Sequence, residues 1–170
     1  MDSIVKLETN NKNRFDSIHG TTLTDSEKST LIELCLTVLT EKYRPGQVLD
    51  NPTKVADLLR LRLADAKNEI FGVIFLTSGH TIIGIDDLFQ GTIDGALVYP
   101  RVVVQHVLER NAAAVVLFHN HPSGQSEPSQ ADKKITTRLK EALSLVDVRV
   151  LDHLVVGGGD VVSFSERGLI

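Results

Sequence analysis

The 170-residue chain contains no tryptophan, one methionine and a single cysteine, Cys35. One thiol cannot close an internal disulfide, so no cystine framework holds the fold, and a reducing, cytoplasmic address is the expectation. Glycine (12) and proline (5) are too few for a collagen-like or low-complexity chain. No apolar run approaches the ~20 residues needed to span a bilayer, so no membrane segment is expected. The polar start MDSIVKLETNNKNR lacks the apolar stretch of a secretion signal. Excess basic charge is missing too: 18 Lys and Arg stand against 22 Asp and Glu, a formal net charge of −4. That balance disfavours strong non-specific binding of nucleic acid, and the cluster Lys133, Lys134, Arg138 and Lys140 reads as a solvated helix face. What is present, 42% hydrophobic and 24% charged, is ordinary globular usage and enough for one domain with its own core. Nothing here fixes the oligomeric state, and a homo-oligomer stays open.

Local patterns divide the chain. Residues 1–23 are polar and aperiodic and read as a mobile arm. Thr24 and Glu27 have capping-box spacing ahead of Leu31, Leu34, Cys35, Val38 and Leu39, an apolar helical stripe expected to bury Cys35. Arg44-Pro45-Gly46 ends that helix, and Asn51-Pro52 starts a second one bearing Val55, Leu58, Leu59 and Leu63. The period then changes. Ile70–Thr77 and Thr81–Ile85 read as a hairpin turning at Ser78-Gly79-His80, with a loop from Asp86 to Gly95 and a short strand around Ala96–Tyr99. Pro100 opens a helix capped near Asn111, and the apolar run Ala112–Phe118 predicts a strand covered on both faces. Ser129 caps a helix to about Leu145; strands at Val148–Val156 and Val161–Phe164 follow, joined by Gly157-Gly158-Gly159. The expected fold class is α/β (α+β): one mixed sheet flanked by helices.

Chemistry concentrates at His119-Asn120-His121 and the loop after it. On an extended segment, histidines at i and i+2 share a face, about 6–7 Å apart along the strand, and Pro122 favours that conformation at His121. Asn120 points the other way. The loop from Pro122 to Pro128 is long enough to turn back and set Ser129 beside the histidines as a helix start, with Asp132 in the first turn. Unpaired N–H groups and the helix dipole favour an ionised carboxylate there. Two imidazoles and one carboxylate leave a tetrahedral ion one open position, the pattern of catalytic zinc. Taken singly, each feature has a plainer reading. An HxH often lines a loop or a core, and Ser-x-x-Asp is a helix cap.

Together these residues resemble a known family. The pattern HxH, seven residues, Ser, two residues, Asp is similar to the motif of JAB/MPN (JAMM-motif) metallohydrolases at His119, His121, Ser129 and Asp132. HNHPSG followed by PSxxD resembles the RadC-like bacterial branch, as do Gly91-Thr92, Tyr99-Pro100-Arg101, Asn111–Ala114, Val150–His153 and Glu166–Leu169. The likeness covers residues 48–170 as one domain, leaving 24–47 as an N-terminal helix and linker. Longer members carry a helix-hairpin-helix region where a single capped helix stands here. The resemblance implies a cytidine-deaminase-like sandwich and one Zn2+ per chain on His119, His121 and Asp132. It further implies hydrolysis of a peptide, isopeptide or other amide bond in an unidentified peptide or protein. Glu69, otherwise a solvated strand-start carboxylate, matches the family glutamate and takes the role of general base and acid. Ser129 takes that of oxyanion stabiliser.

Two other readings stay open: a metal-dependent nuclease tied to DNA repair, and a non-catalytic module stabilised by its metal. His153 could replace Asp132 as third ligand, orient a ligand from behind, or serve as a plain hydrogen-bonded strand histidine. His19, His80 and His106 read as surface or loop positions. Ser123 lacks a G-x-S-x-G elbow and reads as a turn residue.

Overall fold

Among the described residues nine elements follow one another: α1 (Asp25–Lys42), α2 (Pro52–Leu63), β1 (Ile70–Leu76), β2 (Ile82–Gln90), α3 (Pro100–Glu109), β3 (Ala114–Asn120), α4 (Gln130–Ser144), β4 (Arg149–Gly157) and β5 (Asp160–Ser163). This computed structural model describes residues 22–42, 44–49, 52–91 and 97–170. The expectations for the arm to residue 21, His19, Asn51 and Thr92 lie outside the described residues. Two compact units divide the chain, Met1–Leu34 and Cys35–Ile170. In the first, the capping box forms: the Glu27 N–H donates to Thr24 Oγ1 at 3.3 Å, and the Thr24 N–H donates to Glu27 Oε2 at 2.7 Å.

The second unit is built on one mixed sheet in the order β2-β1-β3-β4-β5. β3 and β4 run parallel; every other pairing is antiparallel. A parallel pair needs a crossover, and α4 supplies it. Period-two alternation sorts the side chains into two cores. Ile74, Leu76, Val116, Phe118, Leu154 and Val156 meet Val55, Leu58, Leu59 and Leu63 of α2 on one face. Phe71, Val73, Phe75, Val115 and Leu117 meet Val103 and Val107 of α3 and Leu139 and Leu143 of α4 on the other. Each such aliphatic side chain contributes about 1.5–3 kcal/mol through burial. All seven β3 residues are buried, as a central strand covered on both faces requires. Among the described residues, no helix is long and apolar enough to cross a membrane.

Several local expectations shift. β2 does not stop at Ile85 but runs to Gln90, because its two aspartates find partners: Asp86 pairs with Arg110 and Asp87 with Arg62. An edge strand carries such charges readily. Leu97–Tyr99 form no strand; Val98 reaches the core by its side chain alone, and α3 starts at Pro100. β3 starts at Ala114 and extends through His119 to Asn120, paired with β4 to its end. Arg110 is the cap of α3, and Asn111, with φ 50°, makes the left-handed turn after it. Cys35 is exposed, and so is Val38, while Leu39 packs on the core. The apolar arc of α1 is broad, and of its residues Leu36 and Leu39 are half-buried while Cys35 and Val38 stay exposed.

Candidate metal centre

The centre lies where β3 ends and α4 begins, both on the same side of the sheet. His119 alternates with Val115 and Leu117, so it faces α4 and is buried. His121 follows the last strand residue, yet its N–H still donates to the Val156 carbonyl at 2.8 Å. That bond keeps both rings on one side. Their Nε2 atoms are 2.9 Å apart. Asp132 arrives from the first turn of α4: its Oδ1 lies 3.2 Å from His119 Nε2 and its Oδ2 3.3 Å from His121 Nε2. Ligands around tetrahedral zinc at 2.0–2.1 Å stand about 3.3 Å from one another, so this donor set fits such an ion. The three residues can hold a metal ion. Asp132 is at once a cap: Oδ2 accepts the Ser129 N–H at 2.6 Å, and Ser129 Oγ accepts the Asp132 N–H at 3.1 Å. The cap and ligand readings are two faces of one carboxylate, each oxygen having lone pairs to spare.

Electrostatics follows from this crowding. Burial alone would raise the Asp132 carboxyl. Hydrogen bonding to His119 and His121, the charge of His119 and the Ser129 bond override it and hold the group well below the usual carboxylate range. Its hydrogen bond with Asp132 raises His121 above the ordinary imidazole value against the effect of burial, and the Gln125 carbonyl and the charges of Asp132 and Glu69 add to it. His153 is wholly buried, and burial, then the charge of His119, push it well below its ordinary value. It does not join the ligand cluster. Its Nε2 lies 2.8 Å from His119 Nδ1, behind the ring.

A cleft of about 550 Å³ opens over the centre, lined by His121 and Asp132 together with Glu69 and Ser129. Glu69 is half-buried just before β1. Asn120, whose side chain points away from the metal ligands, holds the backbone on either side of Glu69. Its Oδ1 accepts the Ile70 N–H at 2.8 Å, and its Nδ2 donates to the Asn68 carbonyl at 3.2 Å. The middle residue of the HNH tripeptide thus fixes the backbone that carries Glu69, a role its sequence position did not reveal. Ser123 lines the cleft beside Gln125, whose N–H it accepts at 3.4 Å, in keeping with a turn residue. His80, with φ 59°, sits in the β1–β2 turn, and His106 pairs with Arg110.

Gly157 and Gly158 hold the histidine loop from behind. A Cβ on Gly157 would meet the Gln125 carbonyl carbon and the Ser126 nitrogen at 2.6 Å, and one on Gly158 the Gly124 oxygen at 2.6 Å. This close approach seats the Gln125 carbonyl 2.6 Å from His121 Nδ1. A sharp glycine run after a strand was the available signal, although alone it reads as a turn.

Residues 49–169 match the RadC-like JAB domain family. The UPF0758 protein of Shewanella baltica (strain OS185) is 55% identical over 138 residues, which are 81% of this chain and 61% of that protein. The UPF0758 proteins of Shewanella sp. (strain ANA-3) and Shewanella oneidensis are 54% identical over the same length and shares. The match thus takes in under two thirds of these relatives. With the mixed sheet, the two-sided helix layer and the His-His-Asp cluster in place, the chain belongs to the RadC-like JAB domain family.

Proposed function

We propose that this protein is a zinc-dependent hydrolase of peptide, isopeptide or other amide bonds. The observation that carries the reading is the convergence of His119, His121 and Asp132 at 2.9–3.3 Å under a cleft that also holds Glu69 and Ser129. The donor set, two imidazoles and one carboxylate with a side open to the cleft, favours zinc as the ion. Bound there, it would supply Lewis acidity, which lowers the pKa of water toward neutrality. Glu69 would take the water's proton and return it to the leaving amine, held in place by the Asn120 clamp. Ser129 accepts from Asp132 through its oxygen; among the described residues its hydroxyl proton has no acceptor, so it is available to a developing oxyanion.

The cleft wall supports an amide substrate over a nucleic acid. Leu97, Val98, Ile135 and Phe71 form an apolar side, while Glu69, Glu127 and Asp132 are its charged groups besides His121. Among the described residues no Lys or Arg lines it, and phosphate binding would need them. The test is a panel of peptide, isopeptide and DNA substrates given to zinc-loaded native protein and to Glu69→Gln. Expected is amide hydrolysis that falls about 10²–10⁴-fold in the variant. Elemental analysis should find one zinc per chain in both. DNA cleavage that survives Glu69→Gln, with every amide untouched, would overturn the reading.

A further inference from the structure

A chain of hydrogen bonds runs from Asp132 back to Asp132 through three elements, and its polarity can be worked out bond by bond. Thr136 Oγ1 lies 2.5 Å from the Asp132 carbonyl oxygen. A carbonyl has no proton to offer, so the hydroxyl proton is committed to it. Thr136 Oγ1 can then only accept from His153 Nδ1, 2.6 Å away, and Nδ1 must carry the ring proton. His153 is wholly buried between Phe71 and Phe164, and among the described residues its two nitrogens face only Thr136 and His119. A neutral ring protonated at Nδ1 is bare at Nε2, which accepts from His119 Nδ1 at 2.8 Å. His119 is therefore protonated at Nδ1, which leaves Nε2, beside Asp132 Oδ1, as the nitrogen it can offer a metal. On the other ligand, His121 Nδ1 donates to the Gln125 carbonyl, so Nε2 is again the nitrogen left for a metal.

We infer that Thr136 and His153 are positioning residues that lock His119 in the tautomer whose Nε2 lone pair faces the metal. The inference rests on the metal-site reading above. The geometry behind it is built into the backbone. Val115 pairs with Val150, but Val116 pairs with Asp152, so Leu151 is an extra residue in β4. Strict alternation would put His153 on the α2 side, opposite Val150; the bulge turns it onto the α4 side, opposite Leu117. Thr136 stands one helical turn after Asp132, so the helix that delivers the carboxylate also delivers the hydroxyl.

The test compares His153→Gln, His153→Leu and Thr136→Val with the native protein, using zinc alone as ligand. Glutamine can place an acceptor oxygen near the position of Nε2; leucine fills the space without one. Competition against a chromophoric chelator should show zinc affinity reduced about 10–100-fold for leucine and less than about 10-fold for glutamine. A role limited to filling the core predicts the opposite order, since burying an amide costs more than burying leucine. In metal-free protein, long-range 15N–1H spectra should show Nδ1–H on both His119 and His153. Thr136→Val should remove the Nδ1–H signal at His119, because a flipped His153 would donate to that nitrogen. Absence of Nδ1–H at His119 in the native protein, or a leucine variant that binds zinc as tightly as the glutamine variant, would overturn the inference. Native protein that binds no zinc while showing the expected tautomers would instead overturn the metal-site reading alone.

Discussion

Replacing Asp132 by asparagine and by alanine separates its two duties. As a cap, the carboxylate accepts the Ser129 N–H at 2.6 Å. Asparagine keeps an acceptor there; it loses the first-turn charge, about 0.3–1 kcal/mol, and the attraction of that charge for the two imidazoles. Alanine also loses the cap, a further ~0.5–2 kcal/mol. As a ligand, the oxygens stand 3.2 and 3.3 Å from the two imidazole nitrogens, and neither variant restores a charged oxygen there. Both should therefore weaken zinc binding by more than about 100-fold, beyond what the loss of a supporting hydrogen bond does. With zinc far above the native Kd, a 100-fold weaker Kd removes about 2.7 kcal/mol of zinc-induced stabilisation. Denaturant unfolding with and without zinc measures both quantities. The expected pattern is an asparagine variant that is more stable than the alanine variant without metal, yet has lost most of its response to zinc. An asparagine variant with the native zinc response would refute the ligand role and leave Asp132 a cap.

Stability against pH should show two opposed histidines in the metal-free protein. The folded-state value of His121 is raised, so its stabilising effect is present below about pH 6.5 and is lost as pH climbs through the raised value. That of His153 is depressed, so below about pH 6.5 the unfolded chain takes up a proton the folded chain refuses, and stability falls. The lowered Asp132 value keeps its contribution through that whole range, to be lost only in stronger acid. A maximum near pH 6–7 follows for metal-free protein in urea titrations. His153→Gln should flatten the acid limb, and an unchanged acid limb in that variant would remove His153 as its cause. Gly157→Ala should destabilise by about 1–3 kcal/mol and weaken zinc binding, because its Cβ displaces the Gln125 peptide that holds His121. Wild-type zinc affinity in that variant would mean the loop adjusts without moving the ligand.

Much of this protein is written in short-range pattern. Thr24 with Glu27, Pro52, Pro100 and Ser129 mark helix starts through local hydrogen bonding and a fixed φ, which a few residues decide among themselves. The seven buried residues of β3 and the i, i+2 placement of His119 and His121 are equally local, as is the step from Ser129 to Asp132. Only the tertiary structure decided which distant groups meet them. Asn120 reaches the chain 50 residues earlier to clamp the flanks of Glu69, and His153 backs His119 from 34 residues later because one unpaired residue in β4 reverses its face. Arg62 and Arg110 extend β2 by supplying partners for Asp87 and Asp86. Cys35 ended in solvent because the apolar arc of its helix is wider than the part the core covers, at Leu39. The physical reason is common to all four: spacing along a strand or helix fixes where a side chain points relative to its neighbours, whereas register, bulges and packing between elements fix what stands opposite it.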